Sequence, residues 1–158
     1  MSKERDKMKA VVQRVSSSKV TVDGEVIGKI GQGYNILLGV GPDDNRQHAD
    51  VLAAKIAKLR VFEDDEGKMN KSVLDIGGEA LVISQFTLCA DIKKGNRPSF
   101  TTAAPPDMAN ELYEYFIGQL RLNGISRVEH GSFGADMKVD IQNDGPVTIL
   151  MDTEIWVK

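Results

Sequence analysis

The sequence predicts a single α+β domain, with a largely antiparallel, barrel-like β-sheet core and two main helices packed on it. Three observations carry that expectation. Short apolar runs of strand length recur along the chain and are joined by hairpin-like turns. Two stretches switch to helical spacing of their apolar residues. The 158 residues suffice for one buried core and not comfortably for two.

The elements follow in order. Lys3–Lys7 alternates in charge, so residues 1–7 read as a solvated extension and residues 8–158 as the folded domain. Lys9–Val15 is a strand carrying Val11, Val12 and Val15. Lys19–Val22 and Glu25–Ile30 flank Asp23-Gly24, a strong hairpin signal. Tyr34–Val40 is the next strand, closed by Gly41-Pro42. Val51, Leu52, Ile56 and Leu59 then mark a helix, with Asp43 or Asp44 as its expected cap. Arg60–Glu63 is a short strand before the turn Asp64-Asp65-Glu66-Gly67, and Glu79–Gln85 is a buried strand around Leu81-Val82-Ile83. After a polar loop over 89–105, Met108, Leu112, Phe116 and Leu120 recur every fourth residue, a second helix ending before Gly124. Ala135, Met137, Val139 and Ile141 alternate with polar residues on a strand that Asp144-Gly145-Pro146 breaks, and Val147–Met151 resumes.

Composition narrows the function. The charge is −3 and the isoelectric point near 5.4, so any nucleic-acid contact is local and guided by a few Lys or Arg residues. No apolar run reaches the ~20 residues of a membrane span, and the N-terminus lacks a signal peptide's apolar stretch. A soluble, cytoplasmic protein with no membrane partner is the expectation. The lone Cys89 follows an apolar strand and reads as a small buried filler. His48 and His130 have no ligand partner four residues on and read as surface residues, so neither a metal nor a cofactor is expected. No Gly-x-Ser-x-Gly elbow surrounds a serine, and Gly31-Gln32-Gly33 lacks the remainder of a dinucleotide loop. Side-chain catalysis is poorly supplied.

Two awkward segments remain. Ser84-Gln85-Phe86-Thr87-Leu88 puts polar groups at the mouth of a buried strand, and Asn143-Asp144-Gly145-Pro146-Val147-Thr148 interrupts two strand patterns. Each alone reads as an ordinary strand end or turn. Taken in order with Lys9-Ala10-Val11-Val12-Gln13-Arg14-Val15, Asn96-Arg97-Pro98-Ser99-Phe100 and Phe133-Gly134-Ala135-Asp136-Met137, they resemble the D-aminoacyl-tRNA deacylase family from about Met8 to Asp152. The lead-in and the tail Thr153–Lys158 lie outside that resemblance.

The resemblance implies a homodimeric hydrolase that cleaves the ester joining a D-amino acid to the 3′ end of tRNA, a proofreading activity that spares L-aminoacyl-tRNA. It implies sites at the dimer interface, each completed by a cis Gly145-Pro146 from the other subunit. Carbonyls there would accept from the substrate ammonium and leave no room for an L side chain, whereas glycine would enter. Phe133, Ala135 and Met137 would line the pocket, against plain core packing as the alternative. Ser84, Gln85, Phe86 and Thr87 would form the catalytic segment, Gln85 meeting the terminal adenosine or ribose. Lys93, Lys94 and Arg97 would meet acceptor-stem phosphates, or merely be solvated. Two mechanisms stay open: Thr87 as nucleophile, or water attack with amides near Phe86 and Thr87 holding the oxyanion and the ribose 2′-OH assisting. A nucleic-acid-binding or scaffold protein without turnover is the rival function.

Overall fold

The computed structural model describes residues 6–157. The first five residues of the charged extension and Lys158 lie outside them. Asp6 belongs to the fold's edge, its carboxylate accepting from Lys9 Nζ at 3.1 Å.

The chain runs β1 (Lys9–Val22), β2 (Glu25–Ile30), β3 (Gly33–Gly39), α1 (Arg46–Lys58), β4 (Phe62–Glu63), β5 (Met69–Lys71), β6 (Glu79–Ser84), α2 (Pro106–Leu122), β7 (Val128–His130) and β8 (Lys138–Asp152). Short 3₁₀ turns follow β6 at Phe86–Cys89 and β8 at Thr153–Ile155. The main sheet is ordered β2-β1-β3-β6-β7, with β8 on β1. Pairings of β1 with β2, β3 and β8 are antiparallel; β3–β6 and β6–β7 are parallel. The sheet curls until β2 nears β7: a Cβ on Gly28 would stand 2.9 Å from the His130 carbonyl, so only glycine permits this approach. The expected α+β domain with a barrel-like core and two helices is what forms.

Two strands run further than their patterns suggest. β1 is continuous through Ser16-Ser17-Ser18, because buried Ser18 donates to Asn35 Oδ1 at 2.9 Å and lies 3.0 Å from the Asp140 carbonyl. β8 is continuous through Gly145-Pro146, which leave the ladder as a bulge without ending it. Two short strands, β5 and β7, carry too few residues to register as patterns.

The helices cover one face of the sheet. Ala49, Leu52, Ala53 and Ile56 of α1 meet Leu112, Phe116 and Leu120 of α2 over Val12, Ile36 and Val82. Burial of each large aliphatic or aromatic side chain there contributes about 1.5–3 kcal/mol. On the other face Val15, Val20, Ile30, Leu81 and Ile83 fill the barrel. Leu81, Val82 and Ile83 are thus all buried because β6 is covered on both sides. Tyr115 ties the helices together, donating to Asp50 Oδ1 at 2.6 Å beneath Arg46.

The cap of α1 is Asn45, not Asp43 or Asp44. Its side chain accepts from Gln47 N at 2.9 Å, and His48 Nδ1 accepts from Asn45 N at 3.1 Å, a reciprocal capping box. That bond turns His48 inward, so it is buried, contrary to the expected surface role. Asp44 turns inward too: its carboxylate accepts from Gly41 N at 2.6 Å, and burial pushes it above the usual carboxylate range despite that bond. At the other end buried Thr153 donates its hydroxyl to the Met8 carbonyl at 2.7 Å, tying the tail to β1.

Cys89 is fully buried, as its pattern suggests, with its thiol directed at the Val40 carbonyl. Burial pushes that thiol from 9.0 up to about 11 and also raises the phenols of Tyr34 and Tyr113. In the unfolded chain these groups ionise at ordinary values, so above pH 9 the folded state holds more protons and stability falls as pH rises. The thiol alone accounts for a loss of about 2 kcal/mol between pH 9 and pH 11, read as a falling urea midpoint. A midpoint flat over that range contradicts the burial.

Candidate active site

β3, β6 and β7 run parallel, and their carboxyl ends open on one side, where a crevice forms beyond parallel strands. A cavity of about 500 Å³ lies there. Its floor is the end of β6. Ser84 pairs with Leu38, Gln85 N donates to the Leu38 carbonyl at 2.8 Å, and the chain then turns into Phe86–Cys89. The amides of Phe86 and Thr87 open that turn, ahead of any carbonyl the turn itself can offer them.

One wall is Phe133, Ala135 and Met137, half-buried and alternating with exposed residues. They follow β7, and Tyr113 holds that segment by donating to the carbonyls of Val82 at 3.0 Å and Gly131 at 3.4 Å. The opposite wall is Phe100, Ala103 and Ala104 with the start of α2. It is stitched to the floor by Ala104 N to the Val40 carbonyl at 3.0 Å and Thr102 Oγ1 to the Cys89 carbonyl at 2.8 Å.

The structure therefore brings Ser84, Gln85, Phe86, Phe133, Ala135 and Met137 to one cavity. Thr87 stands beside it, exposed, and its hydroxyl accepts from the Gln85 side-chain amide. Lys93, Lys94 and Arg97 are exposed on a loop clipped at its base by reciprocal Asp91–Ser99 backbone bonds of 2.7 and 2.9 Å. None of the lining residues carries an ionisable side chain. The polar groups this lining offers are the Ser84 hydroxyl, the Gln85 side-chain amide and main-chain groups.

Gly145 and Pro146 do not line this chain's cavity. They lie exposed on β8, joined by a cis peptide bond. The ladder pairs Val15 with Asn143 and Gln13 with Thr148, so the residues from Asp144 to Val147 stand against Arg14 alone. The bulge's neck is closed by Asn143 Nδ2 to Thr148 Oγ1 at 3.0 Å and Val147 N to Asn143 Oδ1 at 3.1 Å.

Sequence reading assigned Arg14 no role. Its guanidinium is buried under the bulge, Nε donating to the Asp144 carbonyl at 3.0 Å and Nη1 to the Val61 carbonyl at 2.7 Å. The available signal was a cation among valines in β1. Phe100, Ala103 and Ala104 were also missed as lining, although Phe100 ended a quoted motif.

The site is an apolar cleft in a barrel-like α+β scaffold, with Ser84 and Gln85 as the polar residues of its floor. The family model described as D-Tyr-tRNA(Tyr) deacylase matches residues 11–152. A D-aminoacyl-tRNA deacylase of Ruegeria pomeroyi is 59% identical over 92% of this chain and 99% of its own length. One from Roseiflexus sp. is 58% identical over 94% of this chain and 96% of its own. Among solved structures, one named c-Myc DNA Unwinding Element Binding Protein superposes with a TM-score of 0.86 at 47% identity, covering 91% of this chain and 97% of that one. A probable eukaryotic D-amino acid tRNA deacylase shares the fold, with a TM-score of 0.79 at 17% identity over 92% of this chain and 98% of its own. The chain belongs to the D-Tyr-tRNA(Tyr) deacylase family, and it is an enzyme.

Arg14→Ala leaves the Val61 and Asp144 carbonyls without their donor. Chemical denaturation is expected to show a loss of about 2–4 kcal/mol; a loss under 0.5 kcal/mol, no more than an ordinary surface change, means water replaces the guanidinium freely.

Proposed function

We propose that the protein removes D-aminoacyl groups, and glycine, from the 3′ end of tRNA and rejects L-aminoacyl-tRNA. It acts in the cytoplasm, as a homodimer whose two cavities are each completed by the other subunit's Gly145-Pro146. The observation that carries this reading is a cavity lined without ionisable side chains, while Gly145 and Pro146 of the same chain lie exposed and outside that lining. Support for a partner copy comes from the free edge of β8, where Leu150 is 68% and Ile141 36% exposed.

Chirality then rests on fixed atoms. Main-chain carbonyls of the entering bulge accept from the substrate ammonium and fill the volume an L side chain needs. Overlap with a braced backbone excludes more strongly than a missing methylene, worth about 1–3 kcal/mol. The D side chain points outward, so many D-aminoacyl groups fit. Lys93, Lys94 and Arg97 meet acceptor-stem phosphates, which reconciles an RNA substrate with an acidic chain.

For the chemistry we favour water attack. The amides of Phe86 and Thr87 hold the oxyanion, each such donor typically worth roughly 2.7–4 kcal/mol. The ribose 2′-OH beside the ester assists by proximity. Among the described residues the Thr87 hydroxyl is hydrogen-bonded to the Gln85 amide, which donates to it and takes no proton, so it does not serve as an activating base. Thr87→Ala is accordingly expected to keep turnover within about tenfold in single-turnover assays; a loss beyond about a thousandfold instead assigns the nucleophile to Thr87.

The deciding experiment incubates substoichiometric protein with D-tyrosyl-tRNA and L-tyrosyl-tRNA. Several turnovers on the D ester alone are expected; none on either sinks the reading. The alternative, nucleic-acid binding without turnover, is favoured only by the name of the 47%-identical structure. The same assay separates the two. In Gly145→Ala the new Cβ would lie 2.9 Å from Val147 Cγ2 and 3.0 Å from Arg14 Nη2, at a φ of +132°. Displacing the bulge by even ~1 Å costs about a hundredfold in kcat/KM on D-tyrosyl-tRNA. Unchanged kcat/KM in a folded Gly145→Ala dimer removes the bulge from the site.

A further inference from the structure

The rim of the cavity carries apolar surface that the fold leaves uncovered. Phe86 and Phe100 both line the cavity, yet they are 56% and 38% exposed. Their rings meet edge to face with centroids 4.9 Å apart and planes at 68°. Each therefore holds the other in place while ring surface stays open to solvent. Ile92, 69% exposed, belongs to the same loop. Lys93, Lys94 and Arg97 of that loop form no ion pair with a described residue, and Asp91, the acid beside them, is committed to the Lys93 backbone amide at 3.0 Å. Three cations with no ion pair to a described residue, on the loop that leads into Phe100, and two open aromatic rings, in a chain of net charge −3, form a combination suited to unpaired nucleic acid. The cations track phosphates, and the rings take the face of a base whatever its identity.

We infer that the Phe86–Phe100 pair is a stacking platform for the unpaired base that precedes the terminal adenosine of the tRNA, with Lys93, Lys94 and Arg97 holding the acceptor-stem phosphates to which that strand runs back. The inference rests on the deacylase reading for the polarity of the strand: the ester end lies in the cavity, and the chain leaves over its rim. It extends recognition beyond the terminal nucleotide without requiring sequence specificity. A second protein chain is the competing occupant, but the positive charge of the loop leading into Phe100 favours a polyanion.

The test compares the unaltered protein with Phe100→Ala and Phe100→Tyr on two substrates, D-tyrosyl-tRNA and 3′-O-D-tyrosyl-adenosine. Stacking on an aromatic ring is typically worth enough to change affinity by about tenfold or more. Phe100→Ala is expected to lose about tenfold more kcat/KM on the tRNA than on the adenosine ester, mainly through KM, and Phe100→Tyr to restore it. A D-tyrosyl-tRNA made abasic at the penultimate position should react with the unaltered protein as poorly as the intact tRNA does with Phe100→Ala, with no further loss when both changes are combined. Equal losses on both substrates, or none on either, overturn the platform, as does a Phe100→Ala protein that sediments in a different oligomeric state. If the unaltered protein hydrolyses neither ester, the deacylase reading fails. The platform is then judged by fluorescence anisotropy of an RNA hairpin with an unpaired 3′ CCA end, whose binding Phe100→Ala must weaken about tenfold for the inference to stand.

Discussion

β1 is hydrogen-bonded along both edges. β8 follows one edge from Lys9 to Thr21, while β3 and then β2 share the other. A strand paired on both sides leaves its partners little freedom of register, because a slip of one residue would turn buried side chains outward. The cavity and the Gly145-Pro146 bulge both hang from this strand, through different partners. Through β3 it sets β6, whose end is the cavity floor. Through β8 it sets the bulge carrying Gly145 and Pro146. Arg14 sits at the branch, its guanidinium spanning the carbonyls of Asp144 and Val61. A buried cation is costly unless it is fully engaged, so the bulge and the β4 side of the domain are coupled through one side chain.

The parts of the fold legible in the sequence are those where one physical signal dominates. Asp23-Gly24 takes positive φ at both positions, the geometry a two-residue hairpin needs. The four-residue spacing from Met108 to Leu120 places α2 because its buried face packs against a single surface. Elsewhere polar residues hide inside regular structure. Ser18 is buried in β1 because Asn35 faces it, and no local pattern announces that partner. His48 looks like a surface residue until the Asn45 cap draws its ring inward. The Gly-Pro break in β8 is a true turn signal, but a bulge obeys the same chemistry as a turn and lets the ladder resume.

The lining of the cavity was legible for a different reason. Ser84 to Phe86 and Phe133 to Met137 lie far apart in the chain, and residue chemistry alone does not join them. The ordered resemblance did, and the fold then gathers them at the carboxyl ends of parallel strands. Arg14 escaped notice because its work is done on main-chain carbonyls, which a sequence does not display.

A cavity without ionisable side chains sets a particular demand on rigidity. A histidine or carboxylate can adjust its rotamer to a substrate; a main-chain amide moves only if its strand moves. The walls must therefore be fixed by the fold itself, and each is pinned from outside the cavity. Tyr113 reaches from α2 to the carbonyls of Val82 and Gly131, holding β6 and the Phe133 segment at one spacing. Thr102 and the Ala104 amide bind the opposite wall to the Cys89 and Val40 carbonyls. Gly28, pressed against the His130 carbonyl, closes the barrel behind β7 so that its end cannot swing outward. Preorganised dipoles are effective because they need no reorganisation as charge develops. Bonds around the cavity hold its main-chain groups in place, and the small hydroxyl, amide and glycine groups that make them shape it as much as the residues lining it.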